Sequence, residues 1–289
     1  MFIFNKFFQV GLVLCLSALP VRSDRVLSFA DHLFVVGQDE EAITEYKRYV
    51  FFHSEDPENT VGYAYYKMGL AYRNQSRWDE AIAMLQKSVQ SENEERVRDE
   101  RRITLGVTLI ACGRFGEADF LLLKIEIFSP FDETIKKASF FRGICNLYTS
   151  NWAEARTAFQ SYFRGQRPET GDLEMKVDEL LSQAPKIGYK SPGLAKALST
   201  VVPGLGQIYA TDWAGGINAL VINAAMGYLV VHDLAQKQIL DAVFNALFLF
   251  ERFYSGNRQN SEEAVTRYNQ NLNRQFVAQI LKILERVDK

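Results

Sequence analysis

A small residue, an Ala twelve positions later and a large apolar residue four beyond that recur four times between residues 24 and 165. The first copy is Ala30, Ala42 and Tyr46, with Leu33 three places after the small residue. The second is Gly69, Ala81 and Leu85, with Tyr72 in the Leu33 place. The third is Gly106, Ala118 and Leu122, with Leu109 and a closing Pro130, and the fourth is Gly143, Ala155 and Phe159. The successive Ala positions lie 39, 37 and 37 residues apart. Inside each copy a polar turn (37–41, 74–80, 113–117, 150–154) ends on a Glu just before the Ala, where a helix N-terminus favours negative charge. The pattern predicts four helix–turn–helix units, in which the small residue of helix A lets helix B approach and the Ala sits at the crossing. Val35-Val36 is too short to compete as a strand.

Gly, Tyr, Ala, an aromatic or Leu, and Pro at these spacings resemble the tetratricopeptide repeat (TPR) family. The unit here is 37–39 residues rather than 34, and the aromatic early in helix A is largely missing. The extra residues are expected in loops between units, such as Ser54–Pro57 and Ser91–Glu94. The resemblance implies a right-handed superhelix whose concave groove binds a peptide or partner protein, and it implies no chemistry. Repeat spacing then offers Tyr65, Tyr66, Arg73, Arg102, Thr108, Arg142 and Asn146 on the A helices as groove residues. Trp78 and Trp152, each three residues before a repeat Ala, are expected to pack against the next helix rather than to stack on a ligand.

After residue 165 the pattern changes. Residues 166–193 hold two Pro/Gly-rich breaks around a short helix, Asp172 to Gln183, expected to cap the last repeat. Residues 194–258 carry the string Pro203-Gly204-Leu205-Gly206-Gln207-Ile208-Tyr209, then Trp213, then two apolar segments, Ile217–Val231 and Ile239–Phe250, joined by a polar turn. Residues 259–289 place Ala264, Tyr268, Leu272, Phe276 and Ile280 at steps of four, an amphipathic helix with Ser261 as its expected N-cap. The Pro-Gly-Leu-Gly-Gln-Ile-Tyr string, with Tyr254-Ser255-Gly256-Asn257 beyond the hairpin, looks like the signature of a group of bacterial membrane hairpin domains. That resemblance singles out Pro203, Gly204, Gly206, Gln207, Tyr209, Trp213, Gly256 and Asn257 as a membrane motif. The segments themselves are shorter than the ~20 apolar residues of a span and contain Asn218, Asn223, Asp241 and Asn245. Glycines 215, 216 and 227 would let two short helices approach, an Asn pair could bond across, and Trp213, Tyr209 and Tyr228 suit an interfacial belt. A buried soluble hairpin stays open as the alternative.

Residues 1–23 read as a signal peptide: Lys6, an apolar run from Phe7 to Leu19, and Val21 and Ser23 before a cleavage at Asp24. An uncleaved anchor is the alternative, and a lipoprotein site fails because Leu12-Val13-Leu14 precedes Cys15. Export sets up a conflict, since Lys190/Lys196 and Arg252/Arg258 flank the hairpin as cytoplasmic residues would. With 33 Lys+Arg against 35 Asp+Glu, no basic excess points to nucleic acid. His32, His53 and His232 stand apart from metal-ligand spacing, and no nucleotide, nucleophile or metalloprotease string is present. Glu92, Glu94 and Glu95 beside Arg96, Arg98, Arg101 and Arg102 read as a solvated face. Cys112 and Cys145 occupy different places in their units, which favours two buried thiols over a disulfide. The expectation is an all-α, non-catalytic, cofactor-free scaffold. It would be exported to the periplasmic side, bind a protein or peptide in its groove, and attach to a membrane through residues 194–258. The alternative is a membrane effector whose hairpin inserts into or remodels a membrane complex, with the repeats as a docking module.

Overall fold

A computed structural model describes residues 25–53, 60–164 and 171–286, and every regular element among them is helical. The leader and the Ser54–Pro57 loop lie outside the described residues. The chain forms two compact units, one of residues up to Ser182 together with those from Leu281, the other of Gln183–Ile280. Each is described by itself.

The first unit is a row of helix pairs: α1 (Arg25–Val35) with α2 (Asp39–Phe52), α3 (Thr60–Asn74) with α4 (Trp78–Gln90), α5 (Glu95–Ala111) with α6 (Phe115–Phe128), and α7 (Asp132–Tyr148) with α8 (Trp152–Phe163). The four repeat Ala residues are fully buried, as are Tyr46, Leu85 and Leu122. What each glycine faces is the large residue rather than the Ala. A Cβ on Gly69 would stand 2.6 Å from Leu85 Cγ, on Gly143 2.6 Å from Phe159 Cε1, and on Gly106 3.0 Å from Leu122 Cδ2. The absent side chain is thus the socket into which helix B inserts its apolar residue.

One turn joins every pair. Gly37, Ser76, Gly113 and Ser150 adopt left-handed φ of 80°, 59°, 83° and 61°. The following N–H then reaches back five residues: Gln38 to Leu33 O, Arg77 to Tyr72 O, Arg114 to Leu109 O and Asn151 to Asn146 O, at 2.8–2.9 Å. This caps helix A and starts helix B two residues later. Along the same edge Arg77 pairs with Glu80 and with Glu40 of the preceding unit, and Arg114 with Glu117 and Asp79. These ion pairs are exposed and contribute mainly register.

The charged stretch after Gln90 is a solvated face only in part. Glu92 and Arg101 form a buried ion pair at 2.7 Å, with side chains 7% and 6% exposed. Arg101 also donates to Ser88 O, whose hydroxyl donates to Gly62 O. Glu92 accepts from the N–H groups of Asn93 and Glu94, and Arg98 clasps the carbonyls of Glu92 and Asn93. The loop residues that lengthen the repeat are therefore tied inward, because their carbonyls need donors once α3, α4 and α5 close over them. Glu94, Glu95 and Arg96 remain exposed. Cys112 and Cys145 are both free thiols, and burial pushes the Cys145 thiol up to about 12.

α9 (Gly171–Gln183) lays Val177 and Leu181 against Phe159 and Phe163 of α8. Asp178 accepts from Arg156 at 2.6 and 2.7 Å and from Gln160 at 2.8 Å. The Arg156 hydrogen bonds hold the Asp178 carboxyl below its usual range. A depressed carboxyl adds stability above the unfolded value near ~3.9, lost as pH falls through the folded value. Asp178→Asn is expected to lower the urea midpoint slightly at neutral pH, and the difference from wild type should vanish at about pH 2. Urea titrations at the two pH values check this.

The second unit opens with a 3-10 turn (Ala184–Lys186) and α10 (Pro192–Val201), whose N-cap Ser191 accepts from Leu194 N. α11 (Leu205–Tyr209) and α12 (Trp213–Ala235) follow, then α13 (Ile239–Phe244), a π-helical turn (Asn245–Phe250) and α14 (Glu251–Leu284). The return leg of the hairpin thus runs without a break into the C-terminal helix. Ser261 is not an N-cap: it lies ten residues inside α14, fully buried, and its hydroxyl donates to Arg258 O. It faces Gly206, where a Cβ would stand 2.6 Å from Ser261 Cβ.

The repeat turn returns here twice. Thr211 and Lys237 take φ of 68° and 62°, and Asp212 and Gln238 donate back to Gln207 O and Asp233 O. Gly204, Trp213 and Gly216 stand at the spacings that Gly143, Trp152 and Ala155 hold in the fourth unit. Here both crossing residues are glycines and backbone meets backbone: a Cβ on Gly204 would lie 2.1 Å from Gly216 O.

Candidate functional site

The A helices of the first unit touch one another, α1 with α3 and α5 with α7, so they share one face of the row. Of the residues expected on it, Tyr65 and Tyr66 are half-buried. Tyr65 turns toward helix B, where Lys87 Nζ lies 5.4 Å from its ring, and Tyr66 sits beside Arg101. Arg102 is half-exposed and donates to the buried Asp99 at 2.8 Å. Arg142 is spent on Asp119 and Glu126 of α6, and Asn146 donates to Asp119 at 2.7 Å. Three candidates are corrected: Thr108, Asn146 and Arg73 are buried, so they present no surface to a ligand. Thr108 donates to Thr104 O inside its own helix. Spacing that placed them by helix face missed how deeply these positions of α3, α5 and α7 are covered.

What the sequence reading missed is a cluster between α1 and α3. Asp31 accepts from Tyr46 and Tyr63, and burial together with this carboxylate pushes both phenols up. Lys67 lies over the rings of Phe34 (4.8 Å) and Tyr63 (5.5 Å), and desolvation lowers its pKa against the pull of Asp31. A half-buried ammonium in an aromatic frame can hold an acceptor group of an incoming chain. The signal for it was Tyr63 and Lys67 one helical turn apart, on the side of α3 turned away from Gly69.

In the second unit the motif residues build an internal clamp. Gln207 donates to Asn257 Oδ1 at 2.9 Å and accepts from Ser199 at 3.1 Å. Gly204 N–H donates to Asn257 Oδ1 at 3.1 Å and Gly206 N–H to Ser199 Oγ at 3.0 Å. Pro203 leads the chain into this turn, half-buried. Tyr209 is half-buried: its carbonyl accepts from Lys190 at 2.7 Å, its hydroxyl accepts from the Ser191 N–H at 3.2 Å, and the Lys190 ammonium stands 3.9 Å from the Tyr268 ring. Lys196 pairs with Glu262. Trp213 is 62% exposed, and the space around Gly256 is open.

Beyond this clamp the hairpin is turned inside out. α12 is the one described helix long and apolar enough to cross a membrane, and only 11% of its most apolar window is buried. Its inward seam is Gly216, Asn223 and Asp233, while Ile217, Val221, Tyr228 and Val231 face outward. On the return leg Leu240, Val243, Phe244, Leu247 and Phe248 are exposed as well. The Asn side chains do not pair with each other: Asn223 donates to Ala219 O, and Asn245 donates to Asp233 at 2.6 Å across the hairpin. Among the described residues no group of three His, Cys, Asp or Glu gathers as a metal site.

The family profile described as "Tetratricopeptide repeat" matches residues 63–91, which include Gly69, Tyr72, Ala81 and Leu85. Comparison with curated proteins gives no match. Among solved structures, YrrB, described as "a TPR protein with an unusual peptide-binding site", is similar at 21% identity and a TM-score of 0.43. The match covers 57% of this chain and 78% of YrrB.

Proposed function

We propose that this protein is a non-catalytic scaffold, exported to the periplasmic side, that binds a protein or peptide partner on the face formed by its A helices and is held at a membrane by residues 194–258. The observation that carries the reading is the shared A-helix face with its framed ammonium at Lys67, flanked by Tyr63 and Phe34, on a repeat that matches the TPR profile. Rigid repeats recognise partners by presenting side chains at fixed spacing, without covalent chemistry. Export is supported by the leader pattern in residues 1–23, and membrane attachment by the outward apolar hairpin.

A photo-crosslinking amino acid at Lys67 in cells, compared with one at Phe120 on the outer helix α6, tests the binding face. Adducts of one size from the Lys67 position and none from Phe120 are expected. Adducts from Phe120 alone would move the partner to the opposite face and overturn the reading. The inside-out hairpin also favours a second reading, in which the hairpin acts on a membrane complex and the repeats dock it. There the Lys67 adducts would form, but loss of the hairpin would abolish function without changing them.

A further inference from the structure

We propose that the hairpin crosses the bilayer completely, with its turn at residues 236–238 on the side opposite its Gly204–Asn257 base. This rests on the membrane attachment proposed above and adds its depth and topology.

Three observations lead there. First, α12 is apolar over a broad arc: Leu220, Ile217, Val221, Leu229 and Ile222 are all exposed and span about 200° of the helix circumference at about 100° per residue. A helix lying in the interface keeps one polar face, and between Ile217 and Val231 α12 exposes a single polar side chain, Asn218. Second, the polar groups in the middle of the hairpin lie in the seam, where Asn245 bonds Asp233 and Asn223 bonds its own helix, while the exposed Asn218 and Asp241 stand near its two ends. Polar-inside, apolar-outside packing stabilises two helices in hydrocarbon and not in water.

Third, α12 is long enough to cross, and the charges at the turn disfavour a shallow dip. α12 runs 23 residues, which is about 34 Å at 1.5 Å per residue. The return leg is helical from Ile239 onward, and residues 239–250, apolar apart from Asp241 and Asn245, reach about 18 Å. That is less than the ~30 Å hydrocarbon core. A shallow insertion would leave the exposed turn, Gln236-Lys237-Gln238, and Asp241 near the midplane, where charged and amide groups are least tolerated. A full crossing places them in water. Lys237 at one end of the return leg and Arg252 at the other can then extend their long side chains to the two interfaces while the bilayer thins locally.

The test uses full-length protein with Cys15, Cys112 and Cys145 replaced by Ser and one new cysteine, Gln236→Cys at the turn or Asn260→Cys at the base, both exposed positions. Intact spheroplasts and inverted vesicles are treated with a membrane-impermeant maleimide, and carbonate extraction is run on the same membranes. Gln236→Cys and Asn260→Cys are expected to label from opposite sides, with the protein retained after carbonate. Retention with both positions labelled from one side, or Gln236→Cys labelled only after detergent, would overturn the crossing while leaving the attachment intact. Release by carbonate would overturn the attachment, and the crossing with it.

Discussion

Gly206→Ala will unfold the C-terminal unit, whereas Gly256→Ala fifty residues on will not. A Cβ on Gly206 would stand 2.2 Å from Ala195 O, 2.6 Å from Ser199 Oγ and 2.6 Å from Ser261 Cβ. The first of these is backbone, and Ser199 holds the Gly206 N–H and Gln207, so no flexible end can move aside. Forcing a methyl group into such a contact typically costs 1–3 kcal/mol, and with backbone on one side the cost should be about 3 kcal/mol or more. Gly256 meets nothing within 4 Å and lies inside α14, so alanine there should be neutral or stabilising by up to about 1 kcal/mol. Thermal melting in detergent micelles, followed by protease sensitivity of the 190–280 region, reads both. Equal melting of the two variants would mean that α11 does not pack between α10 and α14.

Arg101→Met should cost about 3–5 kcal/mol, the range for removing one partner of a buried ion pair. Burial lowers the Arg101 pKa, and Glu92 is the opposing pull that keeps the guanidinium charged. Without Arg101 the Glu92 carboxylate stays in a site 7% exposed, and Ser88 O loses its guanidinium donor. The double variant Glu92→Leu/Arg101→Met should recover most of the loss, because two apolar groups need no partner. Denaturant midpoints of the two variants and wild type form the comparison. A double variant as unstable as the single would place the effect in packing volume rather than in charge.

The repeat was legible because it is written in sizes. Gly69, Gly106 and Gly143 against Leu85, Leu122 and Phe159 are short-range complements that survive without knowledge of the rest of the chain. What spacing could not show was which charged residues the units would enclose. Glu92, Asp99 and Arg101 look like any solvated run, and only the closure of α3, α4 and α5 around them makes them interior. Ser261 misled for a related reason: serine is a good cap locally, but here it is buried inside a helix and faces Gly206, far away in sequence. The hairpin was underestimated because hydropathy stops at the first polar residue, whereas helix geometry continues through Asn245 and Glu251. For the binding face, Lys67 and Tyr63 needed Phe34 and Asp31 from another helix before they formed anything.

The left-handed turn occurs six times among the described residues, at Gly37, Ser76, Gly113, Ser150, Thr211 and Lys237. Four copies join water-facing helices, and two belong to the hairpin whose outer surface is oil-like. The turn consults only its own backbone, a left-handed residue and one reach-back hydrogen bond, and makes no reference to what the helices touch. It is a joint indifferent to solvent. A chain that already owns such a joint needs only to repaint the outward positions of the helices it connects to pass from one medium to the other. Tyr148-Thr149-Ser150-Asn151-Trp152-Ala153 and Tyr209-Ala210-Thr211-Asp212-Trp213-Ala214 share their Tyr, Trp and Ala and pair Ser with Thr and Asn with Asp, one hinge specification used in both units.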